Sequence, residues 1–525
     1  MNKKSLVAFL FCMISLISHA QVVRYVSPAG TMSWQQASSA TSWETACPDL
    51  QAVINASSAG DEIWVSTGTY YPTHSANNWT ADAPTGPNAN PDDRDNAFVL
   101  KEGVRIYGGF QQGDTALSDS HWKKYPTILD GNLGNKENDD DNAYHVVIAA
   151  GLTRTTVLDG FIITGGNANG LSQISVNKIN TVSQKTGAGI ACFNDTLLFL
   201  QNLDVKTNKT ILKIADDNGG LGGGLYSNQA YIECTNVIFR GNMSGQGGAL
   251  NIFNNSLARL TNVLVCGNEA YQGGAMSITM ASAIWTNVTI TGNKAENQVF
   301  GPVAALGGQI ASYNSIYWGN QGAATFATAV KYGGNNLFEG VAYTDNGFLD
   351  GTLAENNPRF VNAISYEMSP TIDGNYRLQK ESPAIDAGNS DMNEIPVDLG
   401  GRLRILDLSI DMGAYEYADS TDTDTNHIFH PTPALNPPKP NRISQLATSL
   451  SLTIYPNPAH SEIQVTTTSK IKKIELYDLL GKLQKSWSAG AGYETTLDVS
   501  MFATGMYLLR VQMSKGTETR KILIQ

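Results

Sequence analysis

Carboxylates and guanidinium groups would have to carry any chemistry in this chain. Four aspartates gather around one irregular stretch, Asp195, Asp204, Asp216 and Asp217. A glycoside hydrolase needs two or three carboxyl groups a few ångströms apart, one giving a proton and another attacking or activating water. A lyase needs a base, for which Arg240 and Arg259 are the candidates, and a cation that acidifies the sugar proton. Two further acidic clusters, Asp92, Asp93 and Asp95, and Asp139, Asp140 and Asp141, have the oxygen ligands that Ca2+ takes. Each has a plainer reading, since aspartates in insertions are ordinarily solvated and those in turns hydrogen-bond their own backbone. Neither arginine has a flanking set of calcium ligands. The seven histidines are scattered, and no Ser-His-Asp arrangement is legible from their spacing.

The elements that must position these groups repeat. A glycine-rich tetrad stands at Gly222-Gly223-Gly224-Leu225, Gly247-Gly248-Ala249-Leu250 and Gly273-Gly274-Ala275-Met276. A Thr-Asn-Val step stands at Thr235, Thr261 and Thr286, and a Gly-Asn pair at Gly241, Gly267, Gly292 and Gly319. The copies lie roughly 25 to 27 residues apart, the period of a solenoid. Residues between them alternate as strands do, as in Tyr231-Ile232-Glu233-Cys234, and carry no helical period. Three strands of about 5 residues with their turns fill such a period, which predicts a parallel β-helix of coils stacked at about 4.8 Å. Glycine at a corner supplies positive φ, and asparagine, the other residue that tolerates it, can stack as an amide ladder. The same recurrence explains the glycines without a phosphate-cradling loop, because they sit in no strand-to-helix context. Carboxylates do not line up on successive coils: opposite Glu233 the next coils offer Leu260 or Arg259, then Ile284 or Trp285.

Composition sets the class. The 525 residues include 50 Gly and are 42% hydrophobic, enough for a large core with many turns. A net charge of -12 leaves no basic stripe to neutralise phosphates, so nucleic acid is excluded as a partner. Residues 1–20 read as a secretory signal peptide: Lys3 and Lys4, an apolar run from Leu6 to Ile17, then Ser18-His19-Ala20. That run is too short to span a bilayer comfortably, no second long apolar run follows, and so no transmembrane segment is expected in the mature chain. Cys47, Cys192, Cys234 and Cys266 remain after the leader, and four cysteines allow three pairings or none. Tyr271, Trp285, Tyr317 and Trp318 fall in or near the regular coils, where core packing is the ordinary fate and stacking on sugar the other.

Ahead of the regular coils, Asp49 to Asn55 has Leu50, Val53 and Ile54 at helical spacing after Pro48, and Gly60 stops it. A short helix there would cap the open end of the solenoid. Tyr71 to Asn96 reads as a long projecting loop, and Asn169 to Thr186 and Lys206 to Asp217 as insertions, the natural places for function on a solenoid. The regular coil fades after Asn320.

Arg24-Tyr25-Val26-Ser27-Pro28, the Asp49 helix and Gly60-Asp61-Glu62-Ile63-Trp64-Val65 resemble the opening of secreted bacterial right-handed parallel β-helix proteins of the choice-of-anchor type. Tyr376-Arg377-Leu378, Ser382-Pro383-Ala384-Ile385-Asp386-Ala387-Gly388 and Asp411-Met412-Gly413-Ala414-Tyr415-Glu416-Tyr417 resemble the closing segment of that group. The resemblance implies an all-β, pectate-lyase-like solenoid over residues 21–417 with an N-terminal capping helix. Folds of this kind host polysaccharide lyases and hydrolases, and they also host proteins that only bind. The tetrads with Phe239-Arg240-Gly241-Asn242 are also similar to repeats of chlamydial polymorphic outer-membrane adhesins.

From Ala418 the composition shifts. Residues 418–447 form an Asp/Thr- and Pro-rich linker whose aspartates lack the ordered glycine and closing Glu of a calcium loop. Residues 448–525 read as a small C-terminal β-sandwich, with strands at 452–455, 463–465, 471–477, 493–497 and 506–511. Tyr455-Pro456-Asn457-Pro458, Leu476-Tyr477-Asp478-Leu479-Leu480-Gly481, Gly505-Met506-Tyr507 and Lys521-Ile522-Leu523-Ile524 closely resemble the type IX secretion sorting domain of Bacteroidetes. That resemblance implies the type IX secretion machinery as a partner of residues 448–525, and a protein that is secreted or attached to the outer-membrane surface. The expected role is binding or adhesion to a polysaccharide or host surface protein, with a divergent lyase or hydrolase and a structural surface protein as the other readings.

Overall fold

The computed structural model describes residues 21–525 apart from 195, 213–218, 298, 323, 344, 407–408, 419–428, 432–451, 468–470, 479–481, 488–493 and 514–515. The expected leader therefore lies outside the described residues, as do Asp195, Asp216 and Asp217. The chain divides into two compact units, Met1–Pro440 and Asn441–Gln525.

The first unit is a parallel β-helix. One coil runs through Leu225–Asn228, Tyr231–Arg240 and Met243–Gln246, and the next through Leu250–Phe253, Leu257–Thr261, Leu264–Cys266 and Glu269–Gln272. The first of these coils has three strands, as expected, and the second has four. The two differ at one corner: Tyr231–Arg240 runs unbroken through the left-handed Asn236 (φ 56°), whereas the equivalent Asn262 (φ 52°) divides Leu257–Thr261 from Leu264–Cys266. Across the regular coils from Leu225 to Trp318 the register is kept, and it stacks like on like. Leu225, Leu250, Met276 and Val303 form one inward column, and Phe239, Val265, Ile290 and Tyr317 another. These side chains are at most 2% exposed and make the core.

The recurring polar residues line up at the corners. Asn202, Asn236, Asn262 and Asn287 share one corner, all with φ between 51° and 57°. Their amides form a chain, Asn236 donating to Asn202 (3.2 Å), Asn262 to Asn236 (3.1 Å) and Asn287 to Asn262 (3.3 Å). A second, inner column runs through Asn208, Asn242, Asn268, Asn293 and Asn320, each preceded by a residue at positive φ. Asn268 Nδ2 donates to Asn293 Oδ1 (3.0 Å) and to the Phe239 carbonyl (2.9 Å), and its Oδ1 accepts from both the backbone and the side-chain amide of Asn242. The tetrads have a different cause. Gly247 lies at φ 71°, and a Cβ there would run into the Leu250 carbonyl. At the following Gly248 a Cβ would strike the Gly274 carbonyl of the next coil.

Both ends are closed. The helix Leu50–Ala56 caps the first coil, with Asp49 accepting from the Ala52 amide (3.0 Å) and Leu50, Val53 and Ile54 buried on the core. Beyond Asn320 the coil does not stop: Val330–Gly334 and Leu337–Phe338 add one more rung, with Asn335 at φ 53° in the corner column. Phe326 closes that end against Trp285 and Tyr317, ring centroids 5.5 and 5.1 Å away, so both aromatics belong to the core.

Two flanks are covered. Residues 71–96 do not project as expected. They lie down with the antiparallel hairpin Gln173–Val176 and Ile179–Ser183 around Trp79, which packs with Val99, Ile148, Phe193 and Tyr226. Lys206 to Asp217 is shorter as an insertion than expected, because Leu197–Lys206 is a regular strand and Lys209–Thr210 another. The segment from Phe360 to Tyr417 folds back over the outer face of Leu264, Cys266 and Ile316. All four cysteines are buried and unbridged, and burial raises their thiols, Cys266 to about 12.

The second unit packs a three-stranded sheet, Leu452–Tyr455, Glu462–Thr467 and Glu494–Asp498, with a four-stranded one, Ile471–Asp478, Leu483–Trp487, Gly505–Met513 and Gly516–Ile524. The sheets are antiparallel and share one core that includes Ile463, Val465, Leu476, Leu509 and Ile522. The strand Leu483–Trp487 escaped the sequence reading because no residue in it is buried, so it shows no apolar alternation.

Removing one link of the inner amide column should be costly, since each buried polar group left unpaired costs about 1–3 kcal/mol. Asn268→Ala is expected to lower stability by about 3 kcal/mol or more, against about 1 kcal/mol for Asn255→Ala, an exposed left-handed corner residue. Guanidinium unfolding midpoints of the two variants check this.

Candidate functional site

On the strands that follow the Asn corner, side chains alternate in and out. The outward ones form two columns, Ile162, Asp204, Ile238 and Leu264 in the first and Lys206, Arg240 and Cys266 in the second. Trp122, Lys123 and Pro126 stand on one side, and Ile372 to Arg377 with Tyr415 on the other. Together they enclose a cleft of about 380 Å3.

Among the described residues, Asp204 is the one sequence-predicted carboxylate in this cleft. It belongs to a regular strand rather than an irregular stretch, and it is 4% exposed. Both of its oxygens are taken by the Arg240 fork, Nε to Oδ1 at 2.9 Å and Nη2 to Oδ2 at 2.6 Å. Lys206 Nζ stands 3.7 Å from the same carboxylate, and Arg240 Nη1 also donates to the Ile372 carbonyl (2.9 Å). Burial alone would lower Arg240, but its hydrogen bonds and charge contact with Asp204 outweigh this and hold it above its ordinary value. A guanidinium held protonated in a fork is a poor proton acceptor.

Arg259, the other arginine, lies one rung along from Glu233 and opposite Ile284. It donates to Glu394, from the covering segment, while Tyr231 Oη donates to Glu233 Oε2 (2.7 Å). Arg259 is lowered by burial and raised more by Glu394 and Glu233. Burial pushes the Glu233 carboxyl up, partly offset by the Tyr231 hydrogen bond. Sequence spacing missed this group, because Glu394 comes from 135 residues away and no local pattern announces it.

The acidic clusters are occupied by turn bonding. Asp93 Oδ1 accepts from the Asp95 amide (3.0 Å), and Asp95 Oδ1 accepts from Gln184 of the hairpin (2.6 Å). Asp139 pairs with Lys209 at 2.6 Å, and Asp141 Oδ2 accepts from the Asn135 amide (2.6 Å). Asp92 and Asp140 lie exposed in the same two loops. Among the described residues, no group of three or more His, Cys, Asp or Glu side chains is arranged to hold a metal ion. Tyr271 and Trp318 are half-buried.

Behind Tyr415 lies a buried charge network. Arg404, itself 0% exposed, donates to the Asp411 and Gly413 carbonyls and stands 3.5 Å from Glu416. Glu416 accepts from the Asp411 amide, and Asp398 accepts from the Arg402 and Glu416 amides. Three carboxyl groups share this site. Burial, with Asp411 and Asp398 nearby, outweighs Arg404 and pushes Glu416 up to about 9; burial likewise lifts Asp411 to about 6.

Comparison with known proteins adds three findings. Residues 453–525 match the family described as the secretion system C-terminal sorting domain, so the chain carries a type IX sorting tail and is a secreted or cell-surface protein. The crystal structure of pectate lyase Pel9A aligns at 12% identity over 76% of this chain and 97% of its own, with a TM-score of 0.36. No curated protein matches the chain. No helix among the described residues is long and apolar enough to cross a membrane.

The Glu416 value sets a pH dependence. Folded protein keeps that proton up to about pH 9, whereas the unfolded chain releases it near 4.5. The stabilisation is therefore complete below pH 4.5 and is lost as pH rises toward 9. Glu416→Gln, which cannot ionise, should match the parent near pH 4.5 and exceed it at pH 9 by more than about 1 kcal/mol. Urea unfolding across that range measures the difference.

Proposed function

We propose that this is an exported binding protein whose solenoid presents the Asp204–Arg240 cleft to a partner at the cell surface, a glycan or a host surface protein. The observation that carries the reading is the fork: both oxygens of the cleft's buried carboxylate are held by a guanidinium, so Asp204 is placed to organise the cleft rather than to move a proton. Around it stand groups that bind sugars and polar side chains well. The buried rings of Trp122, Tyr376 and Tyr415 wall the cleft, with Lys123 over Trp122 and Arg377 over Tyr415, and Lys123, Lys206, Arg240 and Arg377 supply four cations against the two carboxylates of Asp204 and Asp373. Residues 1–20 serve as the leader and residues 448–525 as the part read by the type IX machinery, with attachment to the outer-membrane surface as the end state.

A divergent lyase or glycoside hydrolase is the second reading. What favours it is Glu233, a carboxyl that burial pushes up beside the Arg259–Glu394 pair, as a general acid would need.

Glycan-array and matrix-protein binding by the exported chain separates these readings. A specific ligand is expected, with Lys206→Ala or Arg377→Ala weakening it about tenfold, the ordinary cost of losing one good interface contact. Blank binding would favour a structural role. Release of oligosaccharide products that Glu233→Gln abolishes would favour the enzyme.

Export is tested separately. Deleting residues 453–525 in a host with the secretion system should leave the protein inside the cell envelope. Cell fractionation and surface labelling would show it, and undiminished surface display would refute the assignment.

A further inference from the structure

Three residues of the Pro-rich linker, Phe429, His430 and Pro431, are seated on the solenoid flank, and no repeat or motif in the sequence announces them. Their seat lies at the start of the outer amide column. Asp159, 0% exposed at the end of strand Thr156–Asp159, accepts from Asn202 Nδ2 through Oδ1 (2.8 Å). Its other oxygen, Oδ2, lies 2.8 Å from Nδ1 of His430. The side chain of Asn202 also donates to the Phe429 carbonyl (3.1 Å), and Gln201 Nε2 donates to the Pro431 carbonyl (2.9 Å). Tyr107 meets the imidazole edge to face, centroids 5.9 Å apart. Phe429 closes a crevice with Trp122, Asn236 and Leu399.

We propose that the notch formed by Tyr107, Asp159, Gln201 and Asn202 is the receptor for the linker tripeptide Phe429-His430-Pro431, and that the His430–Asp159 ion pair is the clasp that holds it. The two flanking contacts go to backbone carbonyls and accept any sequence. Only the middle position is read by its side chain, because its imidazole answers the second oxygen of a carboxylate that is otherwise sealed from water. Asp159 therefore does two things: it terminates the Asn column from inside and fastens the linker from outside. With the clasp closed, the last described point at which the solenoid holds the chain is Pro431, beyond Tyr417.

The groups facing His430 are Asp159, Tyr107 and, from the turn beyond, the Leu117 backbone; Glu62 and Arg105 lie next to Tyr107. Burial alone would lower His430, but the Asp159 charge and hydrogen bond outweigh it and leave the ring above its ordinary 6.5. The clasp's contribution is complete below 6.5 and fades as pH rises through the raised value.

The test uses the full exported chain with 13C-labelled histidine. One of its imidazole signals, missing from His430→Gln, should titrate above 6.5 and return to about 6.5 in Asp159→Asn. Chymotryptic cleavage after Phe429 at pH 7 gives a second readout, and Asp159→Asn leaves the cleaved sequence intact. That variant should be cut about tenfold faster, the equivalent of one lost pKa unit. His430→Gln, which leaves every solenoid residue unchanged, should lose the clasp without altering the unfolding midpoint of the β-helix. An unperturbed His430 titration in the parent, or equal cleavage of parent and Asp159→Asn, would overturn the proposal.

Discussion

A solenoid must turn its backbone several times per coil inside a dry interior, and every amide and carbonyl at those turns still needs a partner. In this protein stacked asparagine side chains answer that need. From Asn208 to Asn293 each inner amide bonds the next coil's amide and a carbonyl of the coil before, so Asn268 alone joins Asn242, Asn293 and the Phe239 and Cys266 carbonyls. Such a column needs the corners to stay in register, and it tolerates a longer coil, since Asn208 and Asn242 still bond across 34 positions where the other links span 25 to 27. The apolar columns of the core then follow, because a strand set in register by its corners has no freedom to choose which residues face in.

This is why the coil was legible and much else was not. A corner that repeats every coil leaves the same residue type at the same spacing, and Gly241-Asn242, Gly267-Asn268 and Gly292-Asn293 announce it. The capping helix was legible for a local reason too, with its Asp49 cap and three apolar positions on one face. The cleft and the charge groups have no such signature. Arg240 meets Asp204 across 36 positions and Arg259 meets Glu394 across 135, distances set by coil stacking and by a return segment rather than by any period. The extra rung at Val330–Gly334 was missed because it lacks the Gly-Gly-Ala tetrad while keeping Asn335 at the corner. The expected three strands hold in the coil where Tyr231–Arg240 runs through its left-handed corner, and become four where the corner at Asn262 breaks the strand.

The return segment changes what the outer face can be. Bare, the strands after the Asn corner would show water the apolar groups of Ile238, Leu264, Cys266 and Ile316, a patch that a monomer rarely leaves open. The segment from Phe360 to Tyr417 buries most of it and pins itself by polar bonds at the same corner, as when Asn262 donates to the Val397 carbonyl (2.6 Å). Its cost is a set of buried charges, Asp398, Asp411 and Glu416 around Arg404, which stay compatible with folding because Glu416 holds its proton.

The cleft is the part of that face which the cover leaves unfilled. Its charged residues follow from this position. Further along the outward columns carry uncharged residues, Thr289 and Ile316 in one and Thr291 and Trp318 in the other; at Asp204, Lys206 and Arg240 they are ionic, and the cover leaves a rim of Ile372 to Arg377 and Tyr415. An ion pair buried under a full cover would lose water without recovering it, whereas at the floor of an open cleft Arg240 and Lys206 keep 28% and 25% of their side-chain surface. The same fork that stabilises the pair fixes where the Arg240 guanidinium stands, so the floor is preorganised for the binding role proposed above. Preorganisation of that kind favours recognition of a shape and a charge pattern, because little ordering remains to be done on binding.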